Sequence, residues 1–92
     1  LLPTSIKKNL LQHGIQIFPN PTNGIIQVSF NKPLVGNLNY TITAIDGRII
    51  QQRSLRQNAN FSIDLNNENK GMYFIQFKQD ENILGTTKII VQ

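Results

Sequence analysis

The chain contains no cysteine and no tryptophan, a single histidine (His13) and a single methionine. Without cysteine there is no disulfide framework. With one imidazole and no thiolate, the ligand set of a zinc site is missing. Cysteine count does not fix the compartment, because cysteine-free sandwiches occur among bacterial surface modules. Carboxylates are scarce, five against nine basic residues, for a net charge of +4. Their one cluster, Asp80-Glu81-Asn82, offers too few oxygen ligands for a calcium loop and lacks its glycine. No apolar run approaches the ~18–20 residues that a membrane-spanning helix needs. The basic residues Lys7, Lys8, Lys32, Arg48, Arg53, Arg56, Lys70, Lys78 and Lys88 are scattered along the chain. They are not gathered with stacking aromatics, as nucleic-acid binding would want. His13 stands in a non-periodic lead segment with no oriented partner. None of Ser5, Ser29, Ser54 or Ser62 sits in a nucleophile elbow. No catalytic residue, cofactor site or metal site is expected.

What the chain does have is a period of two. Ile26, Val28 and Phe30 alternate with Gln27 and Ser29, and Tyr40, Ile42 and Ala44 alternate with Asn39, Thr41 and Thr43. Phe61, Ile63 and Leu65 alternate with Ser62 and Asp64. Tyr73, Ile75 and Phe77 alternate with Phe74 and Gln76. Such alternation marks strands with one buried face. Turn residues separate the runs. Pro19-Asn20-Pro21 is unfit for a sheet interior, because proline lacks the N–H donor. Asn23-Gly24 and Asp46-Gly47 supply residues that tolerate positive φ, and Asp46-Gly47 suits a type I′ hairpin. Seven strands follow, over about 15–18, 25–30, 38–45, 48–55, 60–65, 72–79 and 83–91. Short strands at this spacing predict an all-β domain, an Ig-like antiparallel β-sandwich. At 92 residues the chain holds one domain. Residues 1–14 lack alternation and read as linker or the end of an upstream region, which leaves 15–92 as the domain. Only Ile6 to Leu11 permits a brief helical turn.

Several side chains carry narrower expectations. Ile17 and Phe18 are expected to pack beside Pro19-Asn20-Pro21 and pin it as a rigid corner. Lys78 and Lys88, in late strands, are candidates for guarding a sheet edge against other chains. Asp64 sits where an aspartate accepts backbone N–H bonds at a turn, and Arg48 is placed to pair with such a carboxylate or to hydrogen-bond loop carbonyls. Tyr40 and Tyr73 fall on core faces, which leaves Phe74 as the best exposed aromatic. One such ring makes no sugar-binding platform.

Taken in order, four blocks form a pattern: Ile17-Phe18-Pro19-Asn20-Pro21-Thr22-Asn23-Gly24, Gly47-Arg48-Ile49-Ile50, Gly71-Met72-Tyr73-Phe74-Ile75 and Lys88-Ile89-Ile90-Val91-Gln92. Together they resemble the C-terminal sorting domain (type A, the Por secretion system tail family) of proteins exported by the type IX secretion system of Bacteroidetes-type bacteria. The resemblance spans residues 15–92. Two positions depart from the family pattern: Ala44, where many members carry aspartate, and Glu68, where an apolar residue is common. Both bear on local loop packing.

The resemblance implies a sorting label fused behind a cargo domain and not itself an enzyme. It implies passage through the periplasm, then export to the outer-membrane surface or the medium. Its implied partners are the outer-membrane shuttle and translocon of the export machinery and a surface sortase-like peptidase, which removes the label. The residues it marks as the sorting motif are Pro19, Asn20, Pro21, Gly24, Gly47, Arg48, Gly71, Tyr73, Lys88, Ile89 and Val91. The label is expected to be a monomer without a membrane span. The competing reading is an adhesive or carbohydrate-binding Ig-like module of a secreted protein.

Overall fold

A computed structural model describes residues 10–31, 36–55 and 60–92, with the backbone alone for Leu11. Seven strands run β1 (Ile15–Phe18), β2 (Ile25–Phe30), β3 (Leu38–Ala44), β4 (Ile49–Leu55), β5 (Phe61–Asp64), β6 (Gly71–Gln79) and β7 (Asn82–Val91). They form two antiparallel sheets, one ordered β1-β2-β5 and the other β4-β3-β6-β7. This is the Ig-like sandwich that the alternation predicts, and each predicted strand lies within two residues of its place.

The reason is visible in the burial of alternate side chains. Ile26 and Val28 of the smaller sheet point inward, as do Tyr40, Ile42, Tyr73, Ile75, Phe77, Ile89 and Val91 of the larger one. Each fully buried aliphatic side chain contributes roughly 1.5–3 kcal/mol. A one-residue slip would turn the whole inward row to solvent, so the core fixes the register. Tyr40 lies at the centre, its ring 5.8 Å from Phe61 and 5.8 Å from Phe77. Its hydroxyl donates to Gln51 Oε1 at 2.8 Å, so the buried phenol keeps a partner.

Leu10–His13 form a single 3-10 turn, and Leu10 is packed into the core at 6% exposure. The packed unit therefore includes Leu10, ahead of residue 15 where the alternation starts. An isolated turn carries no period from which its burial is legible. Residues 1–9 of the expected linker lie outside the described residues.

Three expectations are corrected. The β3–β4 connection is not a type I′ turn. Gly47 N–H donates to Ala44 O and Ala44 N–H to Arg48 O, both at 2.9 Å, and Gly47 alone of the turn has positive φ, at +89°. That is a longer hairpin, a turn followed by one left-handed glycine. A bulge at Ile50 takes up the extra residue, where the register steps from Ile42↔Gln51 to Thr43↔Ile49. Lys78 does not guard an edge, because β6 is paired on both sides, with β3 and β7. Lys88 does lie on an edge strand, β7. Phe18 does not pin the Pro19-Asn20-Pro21 corner. It is 47% exposed, while Ile17 packs against the core.

Candidate functional site

Because the sheets are antiparallel, their connections alternate between two ends of the sandwich. One end collects the β1–β2 loop, the β3–β4 turn, the β5–β6 loop and the end of β7. The register makes this explicit: Ala44 opposes Tyr73, Gly71 opposes Val91, and Ile25 opposes Asp64. All four sequence blocks, far apart along the chain, therefore end at the same pole.

Two of them are stitched together. The β1–β2 loop lies against the outer edge of β7. Thr22 N–H donates to Ile90 O and Gln92 N–H to Thr22 O, each at 2.8 Å, as a parallel bridge between Thr22 and Val91. One step earlier, Asn20 supplies with its side chain what a strand would supply with its backbone. Its Nδ2 donates to Lys88 O at 2.6 Å, and its Oδ1 accepts from Ile90 N–H at 3.1 Å. The prolines explain why a side chain does this. Pro19 and Pro21 have no N–H to offer an edge, and both follow cis peptide bonds. Thr22 is 2% exposed, and its Oγ1 donates to Ile25 O at 2.7 Å and accepts from Gly24 N–H at 3.1 Å. Gly24 has φ of +142° and passes its carbonyl to Leu65 N–H at 2.7 Å. A Cβ there would also meet the Asn66 side chain, 1.9 Å from its Oδ1. Glycine is thus needed twice over at this position.

The other motif residues stand around this seam. Tyr73 opposes Ile89 and is buried, with its hydroxyl donating to Asn69 O in the β5–β6 loop. Arg48 is exposed and 3.8 Å from Asp46, whose Oδ1 also accepts Arg48 N–H at 3.1 Å. Its partner is therefore Asp46 and not Asp64. Asp64 accepts Asn66 N–H at 2.8 Å, the turn role its position predicts. Pro19, Asn20, Pro21, Gly24, Lys88, Ile89 and Val91 are brought together at the seam, and Gly71 and Tyr73 are joined to it through β7. Gly47 and Arg48 occupy a neighbouring turn. Thr22 escaped the sequence reading, since a threonine among turn residues gives no sign that it will be buried.

The pole is also where apolar surface is left open. Phe18, Ile25, Ile45, Ile49 and Met72 are exposed there, and Ile83 alone among the described residues is a large exposed apolar side chain at the opposite end. What the pole offers is shape, edge backbone groups and uncovered apolar side chains. His13 lies at the other end, and among the described residues no three metal-ligating side chains gather.

Comparison with known proteins agrees with this architecture. A DUF3244 family protein of Bacteroides vulgatus, solved as an immunoglobulin-like β-sandwich, superposes with a TM-score of 0.68 over 84% of this chain and 85% of its own, at 15% identity. That likeness concerns the fold. No match was found among curated proteins. The secretion system C-terminal sorting domain matches residues 16–92, nearly the whole chain and all four converging blocks, and the chain belongs to that family as a type IX sorting signal.

Proposed function

We propose that the motif pole is the part of this sorting domain that the type IX export machinery recognises. The residues that carry this are Pro19, Asn20, Pro21, Gly24, Gly47, Arg48, Gly71, Tyr73, Lys88, Ile89 and Val91. The supporting observation is their convergence on one end of the sandwich, where Asn20 and Thr22 tie the β1–β2 loop to β7. In this reading the folded domain rides behind its cargo through the periplasm and is held by an outer-membrane shuttle and translocon. A surface sortase-like peptidase then removes it, so that the domain is a ligand and substrate and not a catalyst. Residues 15–92 serve as the label, residues 1–14 lead in from the upstream cargo region, and Leu10 of that lead packs on the label's core.

The test is a reporter enzyme behind a signal peptide, fused to this chain in a host with type IX export. Fractionation should find the reporter at the cell surface or in the medium. Removal of Lys88 to Gln92 should leave it in the periplasm. Periplasmic retention of the intact fusion, in a host that exports a known sorting domain, would defeat the reading.

A further inference from the structure

The outward face of the larger sheet divides into a polar half and an apolar half. Toward the far end the register sets Ser54, Asn39 and Lys78 in one row with a single apolar residue, Ile83, then Gln52, Thr41, Gln76 and Thr86 in the next. Toward the motif pole the next row reads Ile49, Thr43, Phe74 and Lys88, and beyond it Met72 opposes Ile90, with Ile45 in the adjoining turn. Ile45 is 71% exposed, Ile49 57% and Met72 40%, and Phe74 and Ile90 are half-buried. The bulge at Ile50 turns Ile49 outward while Ile50 packs on the core. Among the described residues no element is laid over this face, and a contiguous apolar patch left open on a protein surface marks an interaction site.

The rim says what kind of partner fits. Arg48, Lys70 and Lys88 flank the patch and are exposed, and Asp46 in the same turn is already paired to Arg48. A second copy of this chain would bring one basic rim against another. The patch adjoins the β7 seam, so a partner seated on the motif pole reaches it without a break.

We infer that this apolar face, Ile45, Ile49, Met72, Phe74 and Ile90, is a docking surface for a protein partner that presents apolar side chains within an acidic border. This rests on the sorting reading above and takes the partner to be a component of the export machinery. Electrostatic matching then steers the encounter, and the apolar centre holds it.

The experiment uses the reporter fused to the full 92-residue chain, with the paired substitution Ile49→Gln and Met72→Gln. A control carries Ser54→Gln and Thr86→Gln on the polar half of the same face. The expected result is at least a tenfold loss of surface reporter for the apolar pair, export of the control at the unsubstituted level, and thermal unfolding midpoints within a few degrees for all three. If the apolar pair lowers the unfolding midpoint instead, Ile45→Gln alone replaces it, since that side chain is the most exposed of the five, and the same tenfold loss is expected. Full export of the apolar-face variants beside full export of the unsubstituted chain overturns the docking face and leaves the sorting reading intact. Failure of the unsubstituted chain, while a known sorting domain is exported, sinks the sorting reading instead, and the docking face with it. Sedimentation of the purified chain should show a monomer. A dimer that Ile49→Gln with Met72→Gln dissolves would overturn the inference in favour of a second copy.

Discussion

Asn20 is the residue at which sequence and fold meet most directly. Flanked by two prolines that cannot donate, it turns its own amide into a substitute for one step of a β-ladder on the edge of β7. Each of its two hydrogen bonds contributes about 0.5–1.5 kcal/mol. Asn20→Ala is therefore expected to cost about 1–3 kcal/mol, read as a drop of several degrees in unfolding midpoint. Asn20→Asp keeps the acceptor for Ile90 N–H but sets a carboxylate against Lys88 O, so it should not restore the loss. An unchanged midpoint in Asn20→Ala would show that the clamp holds nothing. At Gly47 the φ of +89° leaves open space around an added Cβ, so Gly47→Ala should cost only the backbone strain, about 1 kcal/mol. Gly24→Ala should cost more, because the Asn66 side chain must also move. Tyr40 provides a pH test. Burial raises its phenol above the ordinary value of 10.0, and the nearby Arg53 only partly opposes this. A raised folded pKa means the contribution is present below the unfolded pKa and lost as pH rises toward the folded one. Stability should fall above about pH 10, and denaturation of Tyr40→Phe across that window should show a shallower fall.

Among the elements, β7 carries the most. It closes the larger sheet, buries Ile89 at 0% and Val91 at 5% exposure, and receives the β1–β2 loop on its far side. Loss of those two side chains removes roughly 3–6 kcal/mol of burial, against a total stability of ~5–15 kcal/mol for a domain. A chain lacking Lys88 to Gln92 should therefore be largely unfolded at 37 °C by circular dichroism. A cooperative transition near that of the intact chain would contradict the weight placed on this strand. The loop on β7 also covers part of an edge that would otherwise offer backbone groups to another chain. Asn20 and Thr22, more than a charged side chain, do the covering there.

At the scale of the whole molecule, the domain has two unlike ends. The motif pole has its loops bound to strands, its glycines held in conformations that other residues resist, and its apolar side chains open to solvent. At the opposite end, among the described residues, Asn37 N–H donates to Asp80 Oδ1 at 3.1 Å, Asp80 N–H to Asn37 O at 2.7 Å and Asn31 N–H to Gly14 O at 2.9 Å, and Gly14 and Gly36 also have positive φ. Substitutions that disturb only the opposite end, such as Asp80→Asn, are expected to leave export of a fused reporter unchanged. Arg48→Glu at the motif pole should reduce it severalfold without moving the unfolding midpoint, since Arg48 is exposed and its one ion pair is weak. Equal export of both variants would remove Arg48 from the recognised surface.

Strand number, strand position and most of the core follow from the sequence by itself, because a half-buried strand must alternate and β2, β3, β5 and β6 do, whereas β4 and β7 alternate less regularly. The need for glycine at 47 is equally local, since it lies in the backbone conformation of a turn, while at 24 the close approach of Asn66 adds a tertiary reason. The exact turn geometry was not local. Whether Ile49 or Ile50 faces the core depends on a bulge that pairing with β3 imposes, and neither isoleucine differs in its own preference. Least legible of all was the seam. Asn20 and Ile90 stand seventy positions apart, and no short-range pattern relates a proline-flanked asparagine to the edge of a distant strand. The sandwich brings them together only when two sheets, each specified by its own alternation, pack with their turns aligned. The same packing gathers four separate blocks at one pole and leaves Ile45, Ile49 and Met72 exposed beside them, with Phe74 and Ile90 half-buried, because the outer face of the larger sheet is not covered by any described element.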